Sequence, residues 1–296
     1  MTETPKTQTK FFVSIIIPVY NEEKAIGSVI DDINREMKKS GHPYEIIVVD
    51  DASSDRSAEV AKEKKARVIQ RKINGGSGAS RKTGIKNAAG EIIVMLDGDG
   101  TYDASSIPEM LSYFPEYAQV NGARTSEKGT YKVLRFTAKW LIRKLACYLA
   151  GTNIPDLNTG LKAFKKDVMA KYLWVIPNGF SCVTSMTLAF LVNDHPVKYI
   201  PTKYFKRIGK SKFRPFRDTV NYLQAVIRMI TFFNPLKVFI PTGLFLFFAG
   251  VFILLFSYFF TDKVMDITTV ILFVSSLQTL AIGMLAELIV ETRNKQ

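Results

Sequence analysis

The sequence predicts an α/β protein, a mostly parallel sheet with flanking helices, followed by an amphipathic interfacial helix and a hairpin of two transmembrane helices. Three observations predict it. Apolar, β-branched runs recur through the first third of the chain, each ending in polar residues ahead of a helix-like stretch. One of them, Ile92-Ile93-Val94-Met95-Leu96, ends abruptly in Asp97-Gly98-Asp99-Gly100. Two uncharged stretches of membrane-spanning length, Val238 to Phe260 and Ile267 to Ala286, lie near the C-terminus.

The chain has 296 residues, room for one large or two small domains. Cys147 and Cys182 are its only cysteines, so no disulfide framework is implied. His42 and His195 stand too far apart in sequence to suggest a zinc site. A formal net charge of +13 raises nucleic-acid binding as a possibility. The basic excess collects between Lys203 and Lys237, beside the apolar stretches, which points to a membrane surface and not to nucleic acid. Residues 1 to 10 are polar, lack the apolar core of a signal peptide, and are expected to form a disordered tail.

Phe12 to Pro18 has the continuous apolar character of a central parallel strand. It closes at Pro18-Val19-Tyr20-Asn21-Glu22-Glu23, where Asn21 reads as the N-cap of a helix running to about Lys39. Tyr44 to Asp51 is a second strand, and Ala52-Ser53-Ser54-Asp55 is a turn-and-cap cluster before the next helix. Asp51 and Ser53 read either as caps or as contacts to a nucleotide's ribose or base, because ligands of open α/β sheets sit at the carboxyl ends of the strands. A short strand from Ala66 to Gln70 leads into Arg71 to Ser80, a basic, Gly-rich turn opening a helix from Ala79 to Ala89. Such a turn suits close approach to phosphate or sugar. It is not a Walker loop, since Gly-Lys-Ser/Thr is missing at the required spacing.

The fourth strand delivers Asp97 and Asp99. Mg²⁺ and Mn²⁺ take hard oxygen ligands, commonly one or two carboxylates together with substrate phosphates. Asp97 and Asp99 are therefore the candidate metal ligands, and Gly98 and Gly100 let a diphosphate approach the backbone. For that tetrapeptide in isolation, an acidic turn closing a strand is the plain alternative. Strands that present polar residues on one shared sheet edge, alternating with helices, define a nucleotide-binding α/β domain.

In this order and spacing, Pro18-Val19-Tyr20-Asn21-Glu22, Val49-Asp50-Asp51-Ala52-Ser53-Ser54-Asp55, Asn74-Gly75-Gly76-Ser77-Gly78 and Asp97-Gly98-Asp99-Gly100 resemble family 2 glycosyltransferases of the GT-A fold. The resemblance implies a nucleotide-sugar donor, GDP- or UDP-linked. It places Pro18, Tyr20, Glu22, Asp51, Ser53, Gly78, Asp97 and Gly98 around that donor, and Asp97 and Asp99 at a divalent metal, Mg²⁺ or Mn²⁺, with Asp99 catalytic.

Val120-Asn121-Gly122-Ala123-Arg124, a basic helical stretch from Tyr131 to Leu149, and Pro155 to Phe164 resemble the polyprenyl-phosphate sugar transferases, the dolichol-phosphate mannose synthase group. This implies catalytic roles for Arg124 and Asp156, and binding of donor or acceptor phosphate by Arg124 and Arg135. An exposed helix residue at Arg135 and a turn former at Asp156 are the alternatives. Relatives carry Glu residues where this chain has Gly179 to Ser185, a stretch without a carboxylate. A sugar-hydroxyl acceptor needs a general base. A phosphate monoester, with a second pKa of about 6, is already anionic at neutral pH, so the missing Glu favours a lipid phosphate. Arg207-Ile208-Gly209-Lys210-Ser211-Lys212 resembles the family's Arg-x-x-Gly-x-Ser-Lys phosphate loop, shortened by one residue. It implies phosphate binding by Arg207, Ser211 and Lys212, with Lys206 as the alternative to Arg207.

Residues 11–214 are thus expected to form the catalytic domain and 215–237 an amphipathic helix in the membrane interface, a packed domain helix being the competing reading. Residues 238–260 and 267–286 are expected to span the membrane, with 287–296 a cytoplasmic tail and the basic flank holding the catalytic domain in the cytoplasm. The expected reaction is metal-assisted, inverting transfer from the nucleotide sugar to a polyprenyl phosphate, dolichyl or undecaprenyl; a homo-oligomer is left open. A processive polysaccharide synthase is the nearest rival, but its Gln-x-x-Arg-Trp pattern does not occur. A non-catalytic membrane scaffold is the other, opposed by the carboxylates at Asp51, Asp97 and Asp99.

Overall fold

The computed structural model describes residues 10–125, 133–209, 215–261 and 265–294. Ser211, Lys212 and the side chain of Arg135 lie outside what is described. The chain divides into two compact units, residues 1–226 and 227–296.

In the first unit, strands and helices alternate: β1 (Val13–Val19), α1 (Ile26–Ser40), β2 (Tyr44–Asp50), α2 (Ser57–Glu63), β3 (Arg67–Gln70), α3 (Ser77–Asn87) and β4 (Ile92–Met95). A 3₁₀ turn (Ala104–Ser106) then precedes α4 (Ile107–Ser112), β5 (Gln119–Arg124), α5 (Val133–Ala150), β6 (Lys162–Lys165), α6 (Lys166–Ala170), α7 (Cys182–Leu191) and β7 (Val197–Thr202), and the unit boundary falls within the next helix, α8 (Pro215–Phe233). The seven strands form one sheet in the order β3-β2-β1-β4-β6-β5-β7. Strand β1 lies at its heart because Val13, Ile15, Ile16 and Ile17 are apolar on both faces and wholly buried.

All pairings are parallel except those of β6, which runs antiparallel to both β4 and β5. That reversal positions the site. Lys162 pairs with Met95 on one side and Asn121 on the other, so the segment entering β6 lies against the carboxyl ends of β4 and β5. Residues 156–160 are thereby carried to Asp97 and Arg124.

The helix expected from Asn21 starts at Ile26 instead, and Ala25 at its N-cap offers no side-chain bond. Asn21 takes a left-handed φ of 54°. Its amide donates to Ser53 Oγ at 2.9 Å, and its Oδ1 accepts from the Ser54 amide at 2.8 Å. Cross-loop bonds to the turn after β2 take precedence over capping, since Asn tolerates this backbone region and bonds nearby main chain readily.

The second unit contains the two long apolar helices, α9 (Leu236–Phe260) and α10 (Asp266–Asn294). At 25 residues α9 is about 37 Å long at the α-helical rise, more than the hydrocarbon core of a bilayer. They pack antiparallel through small residues: a Cβ at Gly283 would meet Phe239, one at Gly243 would meet Leu280, and one at Gly250 would meet Phe273. Ser276 Oγ donates to the Gly243 carbonyl at 2.8 Å. Small residues and polar bonds of this kind join helices in lipid, where water drives no association. Helix α10 continues through 287–294. In α8, Ala225, Val226, Met229, Ile230 and Phe233 are buried at helical spacing, while Val220 and Ile227 are exposed.

Candidate active site

Loops at the carboxyl ends of β1, β2 and β4 converge on a cavity of about 300 Å³. Pro18, Tyr20, Glu22, Asp51, Asp97, Gly98, Asp99 and Arg207, all singled out from the sequence, line it. The opposite wall comes from Asn158, Gly160, Gly179, Phe180, Val183 and Tyr222.

The β1 and β2 loops are stitched together. The Asp51 amide donates to the Val19 carbonyl at 2.8 Å, and the Glu22 amide to Ser57 Oγ at 2.8 Å. The buried Asp51 carboxylate accepts from the Gly75 amide at 3.1 Å and the Gly76 amide at 2.7 Å, and pairs with Arg71 Nη1 at 3.1 Å. Asp51 therefore shapes the Gly-rich turn as well as lining the cavity. Gly76, with φ of 89°, makes the turn that opens α3.

Two expected donor contacts have other work. Ser53 accepts from Asn21 and its own amide bonds Asp50 Oδ1 at 3.3 Å, so it binds loop to loop and does not line the cavity. Gly78 is glycine because the 177–182 segment crosses it: a Cβ would clash with the Pro177 carbonyl oxygen and stand 2.8 Å from Cys182 Cβ. Its amide donates to the Asn178 carbonyl at 2.7 Å. Close approach of protein backbone, not of phosphate, explains that residue.

Asp97 and Asp99 end β4 as expected, and their partners come from distant parts of the chain. Arg81, on the second turn of α3, is nearly buried and sets Nη2 2.5 Å from Asp97 Oδ1. Its Nη1 reaches Ser77 Oγ and, at 3.6 Å, Cys182 Sγ. Burial works against the guanidinium's charge, but Cys182 and Asp97 outweigh it and raise its pKa. Asp97 Oδ2 faces Gly160, where a Cβ would come within 2.6 Å of it. Asp99 is deeper: its Oδ1 accepts from Thr101 Oγ1 at 2.6 Å and the Thr101 amide at 3.1 Å. Arg207 Nη1 lies 3.3 Å from Asp99 Oδ2, and Nη2 lies 2.5 Å from Glu22 Oε1. Burial and the neighbouring charge of Asp97 push the Asp99 carboxyl above its ordinary value.

Arg124 and Asp156 lie beside this cavity and hold one another. Arg124 Nε and Nη2 donate to the two carboxylate oxygens of Asp156 at 2.7 and 2.9 Å, and the Arg124 amide adds a third bond at 3.2 Å. Burial pushes the Asp156 carboxyl up, but the bonds and charge of Arg124 prevail and hold it below the usual carboxylate range. Asn158 takes the Asp156 bond onward, accepting from Thr184 Oγ1 at 2.6 Å.

Arg81, Tyr102 and Lys162, passed over in the sequence, belong to the site's frame, as does Arg71 of the basic turn. Arg81 carried one signal, a basic residue one helical turn after Ser77 in the Gly-rich opening of a helix. Arg71 pairs with Asp51. Tyr102 accepts the Gly160 amide at 2.6 Å, and its pKa is raised by burial and by Asp97. Lys162 is wholly buried, its Nζ 2.6 Å from Thr187 Oγ1 and 3.2 Å from Asn121 Oδ1. Burial lowers its pKa to about 7. No local pattern distinguishes Lys162 from a surface lysine at a strand end.

The donor set fits a hard divalent cation. Asp97, Asp99 and Glu22 bring carboxylate oxygens to one cavity, and the Arg207 guanidinium lies between Glu22 and Asp99 as a stand-in cation. Among the described residues no group of three or more His, Cys, Asp or Glu side chains is placed to hold a metal ion, so the protein's share falls to the Asp97 and Asp99 pair. An ion here would draw its remaining ligands from a diphosphate and water, the usual habit of Mg²⁺.

An open α/β sheet of this order, with Asp-x-Asp at the carboxyl end of β4, defines the GT-A class. The chain belongs to glycosyltransferase family 2: residues 14–173 match Glycosyl transferase family 2, and residues 234–291 match the GtrB C-terminal hairpin. A dolichyl-phosphate hexose transferase of Haloferax volcanii is 28% identical, the match covering 73% of this chain and 93% of that one. A dodecaprenyl-phosphate galacturonate synthase of Rhizobium johnstonii is 27% identical over 95% of this chain and 88% of its own. Among solved structures, Mycobacterium tuberculosis glucosyl-3-phosphoglycerate synthase, crystallised with Mn²⁺ and uridine diphosphate, has the same fold. The two superpose with a TM-score of 0.57 at 20% identity, covering 75% of this chain and 79% of that one.

Proposed function

We propose that this membrane protein transfers a sugar from a nucleotide diphosphate to a polyprenyl phosphate with inversion at the anomeric carbon. The observation that carries the reading is the union, in one chain, of a cavity ending in Asp97 and Asp99 with an apolar hairpin of the GtrB type. The relatives named for dolichyl- and dodecaprenyl-phosphate substrates support it.

In this reading Pro18, Tyr20 and Asp51 bound the base and ribose, and the Gly75-Gly76 turn is held for that purpose by Asp51. Asp97 and Asp99 hold a divalent cation, which supplies Lewis-acid stabilisation of the departing diphosphate when bound. Arg81 fixes Asp97 in orientation. The acceptor phosphate oxygen attacks the anomeric carbon from the face opposite the diphosphate, as an anion that requires no base. Asp156 agrees with this, since a carboxylate held below its usual range by Arg124 is a poor proton acceptor. Arg207, with Ser211 and Lys212 after it in sequence, is assigned to phosphate. The basic flank from Lys203 to Lys237 supports a cytoplasmic position for the catalytic unit.

The experiment is transfer from a panel of radiolabelled nucleotide sugars into organic-extractable lipid, with purified protein, polyprenyl phosphate and Mg²⁺ or Mn²⁺. Label in the lipid phase supports the reading and names the donor. Label in insoluble polymer, or none with any donor, overturns it.

A further inference from the structure

Arg207 occupies an unusual place for a residue assigned to phosphate. Its guanidinium bridges Glu22 and Asp99, at 2.5 and 3.3 Å, inside the cavity that is to receive the nucleotide sugar. The two carboxylates are nearly buried, with side chains 8% and 9% exposed. The segment bearing Arg207 is fixed by main-chain bonds: the Phe205 amide donates to the Thr101 carbonyl at 2.8 Å, and the Ile208 amide to the Asp99 carbonyl at 3.1 Å. Tyr204, just before Phe205, forms a bridge with Tyr102, just after Thr101. The side chain is thus delivered to these carboxylates by the fold on both sides of it.

One feature of the pairing is incomplete. Arg207 Nε is buried and has no hydrogen-bond partner among the described residues. A guanidinium presents five donors in a planar fork, and a buried donor without an acceptor is costly. The bridge satisfies two carboxylates while leaving the arginine short of an oxygen on its remaining edge. Phosphate oxygens meet that need, and carboxylates already engaged at Nη1 and Nη2 do not.

We propose that Arg207 and the divalent cation compete for Asp99, so that metal entry and withdrawal of the guanidinium are a single exchange. A doubly charged ion on Asp97 and Asp99 places its charge against a guanidinium only a few ångströms away, in surroundings that screen poorly. Arg81 already neutralises one oxygen of Asp97, so the local negative charge does not suffice for both cations. A nucleoside diphosphate changes that balance, because its oxygens ligate the ion and also offer Arg207 Nε an acceptor. Metal and nucleotide then enter together, and the displaced fork is turned toward phosphate. The inference rests on the reading of Asp97 and Asp99 as metal ligands and adds that Arg207 sets the affinity for the free ion.

The test measures Mn²⁺ binding directly, by electron paramagnetic resonance of unbound Mn²⁺, on the full chain in phosphatidylcholine nanodiscs, with and without a nucleoside diphosphate. Without nucleotide, Arg207→Gln is expected to tighten Mn²⁺ binding by about tenfold, the scale of removing one poorly screened like charge. With saturating nucleoside diphosphate the difference between wild type and Arg207→Gln should nearly vanish. Arg56→Gln, an exposed residue paired with Glu63, serves as the control and should match wild type. Unchanged or weaker Mn²⁺ binding in Arg207→Gln, with binding lost in Asp99→Asn, overturns the exchange and leaves the metal reading standing. Wild-type Mn²⁺ affinity in Asp99→Asn, with nucleotide present, overturns both.

Discussion

Arg124 and Asp156, 32 positions apart in sequence, face each other as a two-pronged ion pair with bonds of 2.7 and 2.9 Å. The side chains are 16% and 10% exposed, so neither charge has water as a ready substitute. Removing one partner from such a pair costs about 3–5 kcal/mol. Arg124→Gln should lower thermal stability accordingly and suppress transfer, with Arg124→Lys intermediate because a point charge replaces a fork.

The same pair predicts an acid shift. Asp156 has its carboxyl held down in the fold, so its contribution to stability is present above the unfolded value of about 3.9 and is lost as pH falls through the lower, folded value. Arg124→Gln removes the guanidinium's bonds and charge and leaves two backbone amide bonds to set against burial, which raises a carboxyl. The acid-unfolding midpoint of that variant, followed by circular dichroism, should therefore move to higher pH. An unchanged midpoint would show that Arg124 does not set the ionisation of Asp156.

Gly160 is glycine because Asp97 needs the space. A Cβ there would stand 2.6 Å from Asp97 Oδ2 and 3.1 Å from Tyr102 Cε2. Gly160→Ala should displace the Asp97 carboxylate and reduce kcat by about 100-fold, the scale of a 1 Å misplacement in an active site. Unfolding temperature should change far less than activity, which a parallel melt would check.

Lys162 predicts a slope of stability with pH. Its amine titrates at about 7 in the fold and at about 10.4 in the unfolded chain. Between those values the unfolded state binds more protons, so stability rises with pH across that window. Lys162→Met removes the titrating group. Its melting temperature relative to wild type should be higher at pH 6.5 than at pH 9.5, at about 2–4 °C for each kcal/mol of linkage. A difference independent of pH would mean that Lys162 keeps its proton throughout.

Chelation should stop transfer and added Mn²⁺ or Mg²⁺ restore it. Asp99→Ala should abolish turnover while the protein stays folded and membrane-bound, because the bonds that it breaks are two local ones to Thr101 and the pair with Arg207, which keeps Glu22. Chelator-insensitive transfer by the wild type would remove the metal from the mechanism.

The sequence by itself determined the first four strands, the order of their loops and the apolar hairpin, because each rests on local pattern. Four apolar runs with polar carboxyl ends are legible wherever they occur, and so are 23 uncharged residues from Val238 to Phe260. Asp97, Asp99 and Asp51 were legible as candidates for the same reason, since they sit where a parallel sheet presents its ligand edge, and Glu22 through the family resemblance. What those side chains hold was decided only in three dimensions. Gly78 and Ser53 read as donor contacts until the 177–182 segment and the β1 loop came to rest on them. Arg81 finds Asp97 across 16 positions, Lys162 finds Thr187 across 25, and Arg207 finds Glu22 across 185. An arginine or lysine carries the same charge whether it faces water, a carboxylate or a phosphate. Its partner depends on which elements lie side by side, and for Lys162 the antiparallel insertion of β6 between β4 and β5 made that choice.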